Sequence, residues 1–204
     1  EWRIVTPSGR LKWLQGSSRP ELQPNGDIVW DGLIMDVTER RFVEEERQKL
    51  VALIENSPDF ISMATLEGSG LFINKAGQKL IGIENNEQIR QISLLNFHTD
   101  EDSEFLKKEV LPQVIEQGSW QGELNFKHFQ TGTVIPIEYN IFTIKDHKTS
   151  QPIALASIAR NITDRKLAEE ERQKFVSLVE NSTDFIGIAT LDAQAWYLNE
   201  AGLN

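Results

Sequence analysis

Between Val134 and Lys145 the apolar residues Ile135, Ile137, Tyr139 and Ile141 fall on every second position, the pattern of a strand with one buried sheet face. Trp120 to Gln130 and Pro152 to Ile162 read as its companion strands, separated from it by a Thr131-Gly132 turn and a His147-to-Gln151 loop. Upstream, Asp59 to Leu66 and Leu71 to Ile73 predict a hairpin around Glu67-Gly68-Ser69-Gly70. Asn74 can cap a short helix through Lys79 that Leu80-Ile81-Gly82 closes, and a loose helical stretch follows to Phe97. A longer helix runs from about Asp102 to Gln117, begins among acidic residues and stops at Gly118, with a kink predicted at Pro112. Two strands, then helices, then three strands is an α+β plan.

Glu39 to Asn56 contains no Gly or Pro and pairs Glu45 with Lys49 at helical spacing, so it predicts a helix. Its apolar positions Phe42, Leu50, Leu53 and Ile54 form a thin stripe, matched later by Leu167, Phe175, Leu178 and Val179. Such a stripe suits a short coiled-coil or partner-helix seam; a solvated connector packing on its own domain is the alternative.

The match between those helices extends much further. Glu44 to Gly77 aligned with Glu169 to Gly202 gives 20 identities in 34 positions, at an offset of 125 residues. Asp36-Val37-Thr38-Glu39-Arg40-Arg41 likewise parallels Asn161-Ile162-Thr163-Asp164-Arg165-Lys166. The chain therefore reads as the end of one unit, a whole second unit and the start of a third.

Composition narrows the partners. A net charge of −10 disfavours nucleic acid and anionic membrane surfaces, which bind through clustered Lys and Arg. The longest mostly apolar run, Ile153 to Ala159, falls far short of the roughly 20 residues needed to span a bilayer, so no membrane insertion is expected. The chain has no cysteine, which excludes disulfides, thiolate metal sites and thiol nucleophiles and fits a reducing, cytoplasmic setting.

The element order, with particular residues, resembles the PAS/PAC sensory domain family. The carriers are Asn56-Ser57-Pro58-Asp59, Gly68, Asn74-x-Ala76, Phe97-His98-x-Asp100-x-Asp102, Trp120-x-Gly122-Glu123, Thr131-Gly132 and the Asn161-to-Lys166 ending. The resemblance implies a five-stranded antiparallel sheet in order 2-1-5-4-3, with helices on one face and linker helices flanking it. It divides the chain into 1–38, the last three strands of a preceding PAS unit; 39–56, a linker helix; 57–163, a complete PAS domain; 164–181, a second linker helix; and 182–204, the start of a following unit. It further implies tandem PAS units of a multi-PAS receptor of the sensor histidine kinase type. Asp36, Thr38, Asn161 and Thr163 fall at the family's signal-output junction, where the last strand hands over to the signalling helix; a simple N-cap role for Thr38 and Thr163 is the alternative. Asn161 stands where Asp is usual, which weakens a salt-bridge link between core and output helix. Pro136 stands where the first unit has Trp13.

A ligand, if bound, belongs between sheet and helices, and Met63, Ile73, Leu95, Phe126, Tyr139 and Ser157 are its expected wall; equally, these side chains simply fill a core. Of the three histidines only His128 shares strand parity with Leu124 and Phe126, and haem is disfavoured. A covalent flavin or other Cys-linked chromophore is excluded, and the cofactor is otherwise unknown. Asp100, Glu101, Asp102 and Glu104 are better read as a helix N-terminus than as a cation site. No phosphate loop or nucleophile cluster is present, so no catalytic residue and no metal site are expected. The expected partners are a second copy, through linker helices or PAS surfaces, and a small-molecule ligand. A ligand-free spacer and dimerisation module is the competing expectation. The end segments are expected to pair with each other or to lack order, because each carries unpaired strand edges.

Overall fold

The structure is a computed structural model that describes residues 1–84, 86–192 and 194–203. Three positions within the expected ranges 57–163 and 182–204 lie outside the described residues: Asn85, Ala193 and Asn204. The chain forms two compact units, Glu1–Asn56 and Ser57–Asn204.

In the first unit β1 (Trp2–Val5), β2 (Leu11–Leu22) and β3 (Ile28–Asp36) form an antiparallel meander, followed by α1 (Thr38–Glu55). Register places Trp2 opposite Leu14 and Leu14 opposite Asp36. The Trp13 ring lies under the Arg41 and Arg3 guanidinium groups, 4.7 and 5.5 Å from its centroid. Stacking a cation on a ring joins the helix start to the sheet.

In the second unit β4 (Phe60–Ala64), β5 (Gly70–Ile73), β6 (Ser119–Lys127), β7 (Val134–Lys145) and β8 (Pro152–Asn161) form one antiparallel sheet in the order β5-β4-β8-β7-β6. Numbered within the unit this is 2-1-5-4-3, the expected α+β topology. The helices α2 (Lys75–Ile81), α3 (Asn86–Ile89), α4 (Asp100–Phe105) and α5 (Leu111–Gln117) are inserted between its second and third strands. Alternation along β4 buries Phe60, Ser62 and Ala64, and along β7 it buries Ile137, Tyr139 and Ile141. Together with Ile81, Leu106, Val110 and Val114 from the helical segment they build a single core on one sheet face.

The kink at Pro112 takes a definite form. Residues Leu106–Val110 form a π turn between α4 and α5, and the Leu111 amide donates to the Leu106 carbonyl, five residues back. Proline has no N–H to donate and its ring crowds the carbonyl four residues earlier, so a widened turn accommodates it without a break. The helix also starts two residues earlier than expected, at Asp100, because the Thr99 hydroxyl accepts from the Asp102 amide.

β8 leads into α6 (Thr163–Glu180), after which β9 (Gly187–Ala189) and β10 (Ala195–Leu198) pair with each other and precede α7 (Glu200–Leu203). Among the described residues, β1–β3 make a three-stranded sheet in the first unit and β9–β10 a two-stranded one in the second. Among the described residues no helix is long and apolar enough to cross a membrane.

Candidate functional site

Between sheet and helices lies an aromatic cluster. Phe60 on β4 and Phe126 on β6 stand 4.8 Å apart, Phe97 meets them at 5.5 and 5.2 Å, and Tyr139 on β7 lies 5.7 Å from Phe126. Tilted and edge-on arrangements of this kind add attraction beyond their buried area. A hydroxyl pair, Ser62 Oγ and Ser157 Oγ at 2.8 Å, is buried on the same sheet face. Of the expected wall, Ile73, Phe126, Tyr139 and Ser157 are brought together here, and half-buried Leu95 packs against the cluster.

Met63 does not belong to this wall. Its neighbours Ser62 and Ala64 face the core, so alternation turns Met63 to the opposite sheet face beside Phe72 and Ala156. Phe-Ile-Ser-Met-Ala is apolar at nearly every position, and its pattern alone leaves the face undetermined. His128 is corrected as well. β6 ends at Lys127, and the His128 ring packs over Gly82, whose α-carbon leaves no room for a side chain there.

The histidine in the core is His98. It sits opposite Phe126 in an isolated bridge to the edge strand, flanked by Lys127 N–H donating to the Phe97 carbonyl at 2.9 Å. Asp102 fixes this segment by accepting from the Asn125 amide at 2.8 Å and from its side chain at 3.0 Å. His98 Nδ1 lies 2.8 Å from the Leu94 carbonyl oxygen; a carbonyl only accepts, so Nδ1 carries the proton and Nε2 holds a lone pair. Nε2 has no hydrogen-bond partner, nor has the buried Tyr139 hydroxyl, although the two rings are 5.5 Å apart. Burial pushes the His98 pKa down to about 4, so the ring is neutral. Burial likewise pushes the Tyr139 phenol up to about 12; nearby Ser157 tempers this without completing a hydrogen bond of good geometry.

The two strand-to-helix junctions are near copies. In the first, Asp36 Oδ1 accepts from Thr38 N at 3.0 Å and Thr38 Oγ1 at 2.5 Å, while Oδ2 pairs with Lys12 at 2.7 Å. Lys12, then Thr38, holds the Asp36 carboxyl well below the usual carboxylate range. In the second, Asn161 Oδ1 accepts from Thr163 N at 2.9 Å and Oγ1 at 2.6 Å. The N-cap residues are Val37 and Ile162, neither of which caps through its side chain, so Thr38 and Thr163 are first helical residues rather than caps. Thr38 Oγ1 also accepts from Trp13 N at 2.8 Å, a bond that Pro136 cannot reproduce for Thr163 because it has no N–H. The weakened salt-bridge link anticipated from Asn161 is replaced from another strand. Glu123 on β6 takes both Arg165 and Lys166 at 2.5 Å, and these cations, Lys166 foremost, lower its pKa.

An open cleft of about 480 Å³ lies outside this cluster, lined by Ile83, Gln91, Ile92, Asn96, Phe129 and Gln130 among others, and none of the expected wall residues lines it.

A five-stranded 2-1-5-4-3 sheet with inserted helices and a strand-to-helix exit at Asn161–Thr163 defines a PAS-type fold. The family model described as the PAS fold matches residues 48–149, which is 102 of the 204 residues, and the chain belongs to that family. The PAS domain of a protein from Colwellia psychrerythraea is 28% identical at a TM-score of 0.53, covering 60% of this chain and 99% of its own. The PAS domain of an HTR-like protein from Haloarcula marismortui is 21% identical at 0.51, covering 61% and 98%. An RNA-binding light-oxygen-voltage receptor is 13% identical at 0.55, covering 82% of this chain and 44% of its own. These last two likenesses concern the fold alone. No curated protein matches the chain.

Proposed function

We propose that the chain is a cytoplasmic sensory and signal-transduction module of a multi-domain receptor, with tandem PAS units and a histidine-kinase type of output, and that it performs no catalysis itself. The carrying observation is a continuous path: β8 contributes Ser157 and Ala159 to the buried face and runs through Asn161 into α6. A small ligand or partner that shifts the core would move β8 and repack the first turn of α6, a two-arrangement element of the kind relays require. Native mass spectrometry with an absorption spectrum of the same sample tests this. A bound non-covalent mass or chromophore, whose removal changes amide exchange at residues 163–167, is the expected result. An unliganded protein whose α6 never responds overturns it.

A second reading is a ligand-free spacer that dimerises through linker helices or PAS surfaces. Two observations favour it: aromatic rings pack between sheet and helices, and Leu167, Phe175 and Leu178 on α6 are all more than half exposed.

A further inference from the structure

The internal repeat supplies a template for two strand edges that have no neighbour. At the 125-residue offset, β3 stands where β8 stands and β9 where β4 stands. In the complete unit β4 and β8 pair antiparallel, with Phe60 opposite Ala159, Ser62 opposite Ser157 and Ala64 opposite Leu155. Among the described residues β3 pairs with β2 alone and β9 with β10 alone. Their free edges are the two that correspond to the β4–β8 seam. Val37 N–H donates to the Trp13 carbonyl, as Ile162 N–H does to that of Pro136, so alternation turns the backbone groups of Trp30, Gly32 and Ile34 away from β2. Asn199 N–H donates to the Ile186 carbonyl, as Asn74 N–H does to that of Ile61, so the backbone groups of Phe185, Gly187 and Ala189 turn away from β10. Side chains follow the same division. Trp30, Ile34 and Phe185 are 64%, 63% and 66% exposed, while their counterparts Leu155, Ala159 and Phe60 are exposed by 1% or less.

We propose that β9 of one copy adds to the β3 edge of a second copy in the register of the β4–β8 seam, with Phe185 opposite Ile34, Gly187 opposite Gly32 and Ala189 opposite Trp30. The pairing rests on the dimerisation reading and names the strands that join. A bare strand edge is a template for another chain, and its backbone bonds demand no particular side chain. The occupant is a second copy because this chain itself carries the matching edges, in two separate sheets. Joining lays Phe185 against Ile34 and Trp30, covering apolar surface that a single copy leaves in water. Glycines stand in place of Ser62 and Ser157 at the centre of the seam, so no side chain obstructs the approach of the strands. A ladder this short is marginal in water, so it forms within the assembly that the exposed stripes of α1 and α6 also hold together.

The chain has no cysteine, so disulfide trapping gives a clean test. Asp31 and Ile188, both exposed, take the places of Ala156 and Met63, which lie opposite each other in the complete unit. Chains carrying Asp31→Cys are mixed with chains carrying Ile188→Cys and oxidised by glutathione disulfide, and the linked peptides are identified by mass. The expected result is a 31–188 disulfide between two chains. It should form roughly tenfold faster than the 33–188 bond in a mixture with Leu33→Cys, whose place lies a diagonal step of about 7–8 Å away, beyond disulfide reach. Equal rates in the two mixtures overturn the register, and absence of the 31–188 bond overturns the pairing. A bond that closes only within one chain of the double variant overturns the second copy as occupant. With no variant at all, amide exchange at Gly32 and Gly187 should slow as protein concentration rises; exchange indifferent to concentration overturns the pairing. A dimer by light scattering that never forms the 31–188 bond leaves the dimerisation reading standing and this pairing fallen, whereas a wild-type monomer ends both.

Discussion

Asn74 does more than cap a helix. Its side-chain oxygen accepts from Gly77 N at 2.9 Å and Ile61 N at 3.0 Å, and its amide donates to the Asp59 carbonyl at 3.0 Å, all from a fully buried position. Asn199, 125 residues later, repeats two of these roles with Ile186 and Asp184. Asn74→Ala should strand two amides and a carbonyl and destabilise the second unit by about 2–3 kcal/mol, read as a lower urea midpoint at unchanged slope. His98 sets a pH response. Its folded pKa is depressed to about 4 from an unfolded value of 6.5, so the unfolded chain binds the proton first and the stabilisation present above pH 6.5 is lost as pH falls toward 4. Between pH 7 and pH 5 this amounts to about 2 kcal/mol. Urea unfolding of His98→Phe should therefore show a markedly flatter dependence over that window than the wild type; parallel curves would refute the assignment.

Among the elements, the junction at α6 and the π turn are the parts whose energetics are most local. Glu123 faces solvent, and its pairs with Arg165 and Lys166 are half-exposed, so they are salt-sensitive and contribute little to global stability. Glu123→Gln should accelerate amide exchange at residues 163–167 and leave the unfolding midpoint nearly unchanged; high salt on the wild type should mimic it. Pro112→Ala should let the widened turn relax toward regular α-helix, because residue 112 regains a donor for the carbonyl four residues back. Backbone chemical shifts over 104–112 would report the change, and an unaltered π turn would show that packing of Leu106 and Val110, not proline, maintains it.

For the whole molecule, the exposed stripes on α1 and α6 bear on assembly. Phe42, Leu50 and Leu53 are more than half exposed on one helix, as are Phe175 and Leu178 on the other. Light scattering should report a dimer that Leu53→Glu with Leu178→Glu converts to monomer while the circular dichroism spectrum is preserved. A monomeric wild type would overturn the spacer and dimerisation reading.

The strands, the long helices and the internal repeat were legible in the sequence, since strand alternation, helix periodicity and turn glycines are local signals with a physical period, whereas the sheet order and the two junctions came only with the resemblance to the PAS family. The 125-residue offset of the repeat sets Asn199 at the position of Asn74. What the linear pattern left open was which face a nearly all-apolar strand turns inward, and this misplaced Met63. It also left open which histidine reaches the core. His98 lies in a segment with no period of its own, and only its bridge to Phe126 brings it inside. The Glu123 clamp joins residues 42 and 43 positions apart, a distance no local pattern spans. The sequence alone determined the fold class and its connections, because backbone hydrogen bonding and apolar period are encoded locally. Tertiary packing alone decided the unmated donor and acceptor of the core, because burial and partnership depend on neighbours that only the folded chain supplies.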